Sequence, residues 1–249
     1  MKEHAILFNV AMTLAVLRDV EPKTQTRRLV TAQTSLVDGA GMSQRSWDAM
    51  GFDFSRAWVD EGPSPAGNPG PYLKVPALRE GLETVHRVSP RVAPGDALWG
   101  RESLMASRDG LGSIVGYTYV ADDAKVRRRP DLEPGASDGM AFAHLVRPGV
   151  VPSIHMPRWA SRLVLSVSRV GVERLQDISE TDALAEGVYD GAACRCDTPL
   201  DFVRSCGHCG NRLVDAVDLF ERLWTRINGT GSWATNPHVW VYEFSRNNP

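Results

Sequence analysis

The stretch Lys23-Thr24-Gln25-Thr26-Arg27-Arg28 follows a short apolar segment and is itself entirely polar. If it forms a strand, alternation places the odd-numbered side chains on one face and the even-numbered ones on the other. The cations suit phosphate or carboxylate groups, and the threonine hydroxyls can donate hydrogen bonds or attack an electrophile. The stretch is therefore either a solvated basic edge strand or one wall of a functional site.

The bulk composition restricts the class of protein. The chain has 249 residues, of which 43% are apolar and 23% charged, and its formal net charge is −2. These values are ordinary for a globular protein, and any nucleic-acid site must be a local patch. No apolar run approaches the roughly 20 residues that span a bilayer. The start, Met1–Val20, lacks the apolar core of a secretion signal, so we expect a cytoplasmic protein without a membrane partner.

Hydrophobic patterning predicts many short strands and few helices. Strands are expected at 5–9, 24–31, 97–102, 114–120, 161–172 and 238–244, and helices at 11–19, 179–186 and 213–227. The helix at 179–186 starts with a capping box, in which Ser179 is the cap and Asp182 the acidic third residue. Residues 39–76 are rich in Gly, Pro, Ser and Asp, which predicts a long loop or insertion without a second core. The pattern indicates an α+β protein built on a small mixed barrel.

All four cysteines lie close together, at Cys194, Cys196, Cys206 and Cys209. Two close pairs joined by a short loop can wrap a tetrahedral zinc ion with four thiolates, and glycines beside the second pair suit a tight knuckle. Four protein ligands leave no open position, so the expected role of the zinc is structural. The alternatives are free thiols, or His208 in place of one cysteine.

Several segments resemble the ASCH domain, a branch of the PUA-like β-barrel superfamily. They are residues 22–28, Gly95–Trp99, Arg162–Leu175, Ile178–Gly187 and Val239–Phe244. The segments His155–Arg162 and Asn228–Trp233 are similar to the long phage and prophage form of that family. The resemblance implies a single domain over residues 1–249. It would be an α+β PUA-like small β-barrel with flanking helices and insertions at about 39–92, 122–150 and 189–212, the last carrying the zinc knuckle 194–209.

The family signature Gly-x-Lys-x-x-Glu-x-Arg is kept only in part. Lys23 and Arg28 match it, whereas Glu21 stands for Gly and Thr26 for Glu. The resulting Lys-Thr-x-Thr-x-Arg motif resembles a subgroup, the small bacterial ASCH amidohydrolases that cleave acylated cytidine. In that subgroup the lysine, the second threonine and a later helical glutamate are catalytic. An ungapped match of residues 178–186 puts Glu186 at the glutamate, so the resemblance implies catalytic roles for Lys23, Thr26 and Glu186.

Lys23, Thr26 and Glu186 could act together chemically, but only if the fold brings their side chains close to one another. A threonine hydroxyl needs a base, and a buried Lys23 could lose its proton and serve as one. Glu186 could orient the lysine or pass a proton to the leaving amine, and Arg28 could hold an oxyanion or phosphate. Lys23 and Thr26 have opposite parity in an ideal strand, so a turn or bulge at Lys23 is required. Otherwise Glu186 is simply a solvated helix end before Gly187.

A second basic segment contains Arg158, Trp159 and Arg162. Arginines beside a tryptophan could bind a nucleotide, although burial in the core is the commoner use of tryptophan. Together these features predict an ASCH-type protein that binds nucleic acid or a modified nucleoside, with a nucleoside or a single strand as its partner. The alternative is an amidohydrolase that removes an acyl group from the exocyclic amine of a cytidine-like nucleoside.

The zinc prediction is tested by metal analysis of protein purified without chelator. We expect about one zinc per chain, and Cys206→Ser should lower both the metal content and the melting temperature, because structural zinc binding contributes to folding. Metal-free protein that melts at the same temperature with and without the substitution would contradict it.

Overall fold

The computed structural model describes residues 1–63, 70–127, 140, 149–188 and 215–247. The strands are β1 (Glu3–Leu7), β2 (Gln25–Leu29), β3 (Ser35–Val37), β4 (Trp58–Asp60), β5 (Tyr72–Arg79), β6 (Leu82–Pro90), β7 (Ala97–Arg101), β8 (Leu104–Arg108), β9 (Ile114–Tyr119), β10 (Val150–Val151), β11 (Val164–Arg174) and β12 (His238–Arg246). The helices are α1 (Val10–Leu17), α2 (Gln44–Asp48), α3 (Glu180–Ala185) and α4 (Ala216–Asn228).

The chain divides into two compact units. The first comprises Met1–Thr24, Gly95–Val167 and Phe244–Pro249, and the second comprises Gln25–Pro94 and Ser168–Glu243. In the first unit β7 lies between β1, which is parallel to it, and the start of β11, which is antiparallel. β8 pairs with both β9 and β10 in a separate sheet. The core of the first unit contains Leu104, Tyr117, Tyr119, Met140, Val151, Met156 and Ala160.

The second unit contains two sheets and the helices α3 and α4. β12 lies between the end of β11 and β2, and it pairs with β2 in antiparallel register. β3, β6, β5 and β4 form a four-stranded antiparallel sheet in that order. Helices α3 and α4 pack together over an apolar cluster that includes Leu175, Ile178, Ala183, Leu219 and Phe220.

The predicted start of α3 is confirmed. The side chain of Ser179 accepts a hydrogen bond from the Asp182 backbone N–H at 3.1 Å, so one of the unpaired amide groups of the first turn is satisfied. The helix ends at a left-handed glycine, Gly187, with φ 86°. Its N–H donates to the Leu184 carbonyl at 2.8 Å, as is common where glycine terminates a helix.

The prediction of a long loop at 39–76 is wrong, because this range contains α2, β4 and the first part of β5. An aromatic cluster supplies the local core that composition concealed: the rings of Phe52 and Phe54 lie 5.0 and 5.9 Å from that of Trp47. β5 and β6 are joined at Glu80 and Gly81, which both have positive φ, at 51° and 81°. This is the backbone geometry of a two-residue hairpin turn.

The α+β class is confirmed, but a closed barrel is not found. The strands of the described residues are divided among separate sheets, and none of these sheets closes on itself as a barrel requires. The expected small barrel is thus corrected to a set of open sheets. In the described part of the chain, no helix is long and apolar enough to cross a membrane.

Two strand glycines test the packing of the first unit. A Cβ on Gly100 of β7 would lie 2.9 Å from Cβ and 3.0 Å from Cδ1 of the buried Leu163, whereas a Cβ on Gly116 of β9 would meet no atom within 4 Å. We expect Gly100→Ala to lower the free energy of unfolding by about 1–3 kcal/mol through overpacking. Gly116→Ala should change it by less than about 0.5 kcal/mol. Equal urea midpoints for the two variants would contradict this packing.

Candidate functional site

Strand β2 carries two of the predicted site residues, Thr26 and Arg28. It pairs with β12 so that Thr26 faces Tyr242 and Arg28 faces Trp240. Because directly paired residues share a face, these four side chains lie on one face of the sheet, and Arg27 lies on the other. The strand begins at Gln25, after the lysine of the motif. The alternation of side chains between two faces, predicted for the motif, therefore applies from Gln25 onward.

Arg27 is the most heavily engaged side chain of the strand. Its side chain is 0% exposed, and its Nε donates to Glu173 Oε1 at 2.7 Å. Its Nη1 donates to Glu186 Oε1 at 3.3 Å and to Gln25 Oε1 at 3.1 Å, and its Nη2 lies 3.6 Å from Asp182 Oδ2. A buried guanidinium is tolerated only when its charge and its N–H groups are matched. Three carboxylates match its charge, although Nη2 makes no hydrogen bond within the described residues.

Glu186 is buried, so its interpretation as a solvated helix end is wrong. The residue is 2% exposed and follows the last residue of α3 as its C-cap. The helix is tied to β2 near its other end as well, because Gln25 Nε2 donates to Asp182 Oδ1 at 2.9 Å. These bonds fix the angle at which the end of α3 brings Glu186 to Arg27.

Glu186 interacts with the arginines of both faces of β2. Burial lowers the pKa of the Arg28 guanidinium, and the charges of Glu186 and Tyr242 act in the opposite direction. Arg27 and Arg28 point to opposite faces. β2 is the last strand of its sheet.

Two further carboxylates of the cluster respond differently to their surroundings. Burial raises the pKa of Glu173, and the charge of Arg27 only partly offsets this. Burial also acts to raise the pKa of Asp182, but hydrogen bonds from Ser179 and Gln25, with the charge of Arg27, bring it below its usual value. Asp182 is therefore the more firmly ionised of the two.

Thr26 has the most unusual environment of the predicted catalytic residues. It is 0% exposed, and within the described part of the chain its hydroxyl oxygen has no hydrogen-bond partner. Leaving a buried hydroxyl unsatisfied costs about 1–3 kcal/mol. The structure thus brings Glu186 to Arg27 and Arg28 but gives it no hydrogen bond to Thr26.

Lys23 belongs to the first unit, whereas Thr26 and Glu186 belong to the second. It is 2% exposed, and its backbone N–H donates to the Ala15 carbonyl at 2.9 Å. It lies before β2, in a segment where Glu21 has a left-handed φ of 48°. The grouping of Lys23 with Thr26 and Glu186 as a catalytic set remains a prediction.

Arg158 of the predicted nucleotide site is held by an acidic partner in the first unit. Its Nε and Nη2 each donate to the Glu3 carboxylate at 2.8 Å, and its guanidinium carbon lies 5.8 Å from the centre of the Trp99 ring. Trp159 is partly buried and packs against the core of that unit.

Arg162, also in the first unit, is paired with two acidic side chains. It makes a bidentate pair with the buried Glu102 at 2.9 Å for each bond and a third bond to Asp122 at 2.7 Å. Its guanidinium carbon also lies 3.9 Å from the centre of the Tyr119 ring. Nucleotide binding by Arg158, Trp159 and Arg162 remains a prediction, and it would require a phosphate to compete with these carboxylates.

The predicted zinc ligands Cys194, Cys196, Cys206 and Cys209 lie outside the described residues. Among the residues that are described, no group of three or more His, Cys, Asp or Glu side chains could hold a metal ion.

Sequence reasoning missed the roles of Arg27, Glu173 and Asp182. Arg27 stands within the motif, but nothing local shows that it is wholly buried. Glu173 is 146 residues from it along the chain, and Glu186 is 159 residues away. The only local indication of these contacts was the motif, in which a dense group of polar residues enters a strand.

Comparisons with protein-family models, with curated proteins and with solved structures give no match to this chain.

The Arg27 cluster predicts a large difference between two arginine substitutions. Arg27→Ala leaves the buried Glu186 and the partly exposed Glu173 and Asp182 without their cation, so we expect the free energy of unfolding to fall by about 3–5 kcal/mol. Arg169→Ala removes a pair between Arg169, which is 72% exposed, and Glu243, so the loss should stay below about 1 kcal/mol. Chemical denaturation of both variants checks this, and a loss below 1 kcal/mol for Arg27→Ala would contradict it.

Proposed function

We propose that this chain binds a modified nucleoside, or a short single strand of nucleic acid, at β2 and the end of α3. The observation that carries the proposal is the buried hydroxyl of Thr26, which has no hydrogen-bond partner within the described residues. It lies on a strand whose two arginines both interact with the buried Glu186. A ligand that hydrogen-bonds to Thr26 would recover the free energy that the unsatisfied hydroxyl costs.

The charges of the site favour a nucleobase over a long phosphate backbone. Arg27 and Arg28 are opposed by Glu173, Asp182 and Glu186, so the cluster is not a continuous positive track. Guanidinium groups donate hydrogen bonds and carboxylates accept them. The edge of a base presents both kinds of partner, and bases outside a duplex are recognised by such contacts.

The ASCH resemblance is part of this proposal. The resembling segments coincide with regular elements: residues 22–28 include most of β2, and the others include parts of β7 and β12 and all of β11 and α3. The PUA-like assignment of the α+β fold, the single domain and the structural zinc on the four cysteines belong to the same proposal.

The binding proposal is tested by calorimetric titration with cytidine, N4-acetylcytidine and a short oligonucleotide. We expect Arg28→Ala to weaken binding at least about tenfold, because a charge-assisted hydrogen bond is lost. Arg169→Ala, which removes an exposed arginine of the same unit, should leave the affinity unchanged. The proposal fails if no member of the panel binds, or if the wild type and Arg28→Ala bind equally.

A second function, hydrolysis of an acylated nucleobase amine, is favoured by the burial of Lys23, Thr26 and Glu186. A base close to Thr26 would take its proton as the oxygen attacks the acyl carbon, and the C–N bond would then break with transfer of that proton to the amine. Water would release the carboxylic acid from the threonine ester. Low dielectric strengthens each electrostatic interaction in such a step.

The hydrolytic function predicts a sharp pattern among variants. Thr26→Ala, Lys23→Ala and Glu186→Gln should each lower the rate of deacylation of N4-acetylcytidine more than about 100-fold, because such residues act as a unit. Thr26→Ser should retain part of the rate, since it keeps the hydroxyl. Chromatography of substrate and product measures this. Equal conversion by the wild type and Thr26→Ala, or no conversion by either, would exclude the hydrolase.

A further inference from the structure

A hydrogen-bonded chain of three side chains joins strand β6 to the turn that follows β3 in the second unit. Asp38 Oδ2 lies 2.8 Å from His86 Nδ1, and His86 Nε2 lies 2.9 Å from Thr84 Oγ1. Thr84 and His86 are two residues apart on β6, so their side chains share one face of the strand. A carboxylate, an imidazole and a hydroxyl in this order are the parts of a nucleophile activated by a base that is itself oriented.

A tight turn holds the carboxylate in place. Asp38 and Gly39 have left-handed φ values of 48° and 88°, and Val37 and Ala40 exchange backbone hydrogen bonds across them at 2.8 and 2.9 Å. The backbone N–H of Asp38 donates to the Arg87 carbonyl at 2.8 Å, and Asp38 Oδ1 accepts from the Arg87 N–H at 3.0 Å. Aspartate is among the few residues other than glycine that tolerate this backbone region.

The carboxylate fixes the direction of its own hydrogen bond to His86, and in the neutral form of the imidazole it thereby sets the tautomer. An ionised carboxylate only accepts hydrogen bonds, so the proton between Asp38 and His86 is on Nδ1. The Nε2 of the neutral imidazole is then an acceptor, and the Thr84 hydroxyl donates to it. Burial acts to raise the pKa of Asp38, but the bonds from His86 and the Arg87 N–H bring it below its usual value, which favours the ionised form.

The hydroxyl is accessible, and the imidazole is supported from the side. Thr84 is exposed, and within the described residues its hydroxyl makes one other contact, a longer one of 3.5 Å to the Ala77 carbonyl. The ring of Phe52 meets that of His86 edge to face with 5.8 Å between centres. An exposed nucleophile beside an oriented base can reach a small acyl compound but does not enclose a large one.

We propose that Thr84, His86 and Asp38 form an acyl-transfer site for small carboxylic esters, separate from the proposed nucleoside site. Thr84 Oγ attacks the ester carbon while His86 Nε2 takes the hydroxyl proton. The bond to the leaving alcohol then breaks, and the alcohol departs with that proton. Water, deprotonated by the same nitrogen, then cleaves the threonine ester, which releases the acid and restores Thr84. Asp38 is a positioning residue, since it acts through His86.

The experiment uses the full chain with p-nitrophenyl acetate as the probe. Release of nitrophenol is measured, and the acetyl group is mapped by mass spectrometry of peptides. We expect acetylation of Thr84 in the wild type, and at least a tenfold lower rate in Thr84→Ala and His86→Gln, within the range of general base catalysis. Thr84→Ser should retain activity and carry the acetyl group on the serine.

Control variants distinguish ester cleavage at Thr84 from ester cleavage elsewhere on the protein. Thr235→Ala removes another exposed threonine hydroxyl of the second unit and should change nothing. Arg169→Ala, which lies outside both proposed sites, should also leave the ester rate unchanged. Because the acetyl group is mapped to a single residue, failure of the nucleoside proposal does not affect this one. An unchanged rate in Thr84→Ala, or acetyl groups only on residues other than Thr84, overturns the proposal.

The role of Asp38 has its own measurement. Asp38→Asn keeps a residue that tolerates the left-handed turn. We expect it to lower the ester rate at least tenfold and to move the proton of the neutral imidazole away from Nδ1. The ¹⁵N chemical shifts of the His86 ring report that change of tautomer. Unaltered His86 shifts together with an unaltered rate overturn the positioning role.

Discussion

The burial of the Arg27 guanidinium is the constraint on which the proposed nucleoside site depends. A permanently charged side chain with no exposure to water must find its counter-charges inside the protein. It finds them on β11, at Glu173, and on α3 and its C-cap, at Asp182 and Glu186. The positions of the strand and the helix around β2 are thereby coupled, because displacement of either would leave a buried charge unmatched.

This coupling explains why a short helix can hold a buried carboxylate in place. α3 has only six residues, a length that is marginal for an isolated helix. Its start is capped by Ser179, its end is terminated at Gly187, and its side chains are bonded to Gln25 and Arg27. Glu186 is consequently held to Arg27 of β2, while the Thr26 hydroxyl on that strand has no hydrogen-bond partner among the described residues. Polar groups arranged in this way are costly without a ligand and useful with one.

The sheet β3–β6–β5–β4 of the same unit carries polar side chains that are held in a different way. Its chain of Asp38, His86 and Thr84 lies near the surface, and the orientation of each group follows from a tight turn and from the two-residue period of a strand. The cluster around Arg27 and the chain of Asp38, His86 and Thr84 therefore depend on different interactions. Around Arg27, burial makes charge matching obligatory, whereas the exposed chain is organised by the direction of its hydrogen bonds.

The sequence by itself determined the α+β class, the strand character of residues 25–29 and the capped start of α3, because alternation, capping boxes and glycine stops act over a few residues. It also marked Thr26 and Glu186 as candidate site residues, through a motif. Only the tertiary structure decided that Arg27 is wholly buried among carboxylates 146 and 159 residues away, that residues 39–76 pack around Trp47, and that Asp38 meets His86. Those contacts join distant parts of the chain, and their free energy arises from burial, which no local pattern records.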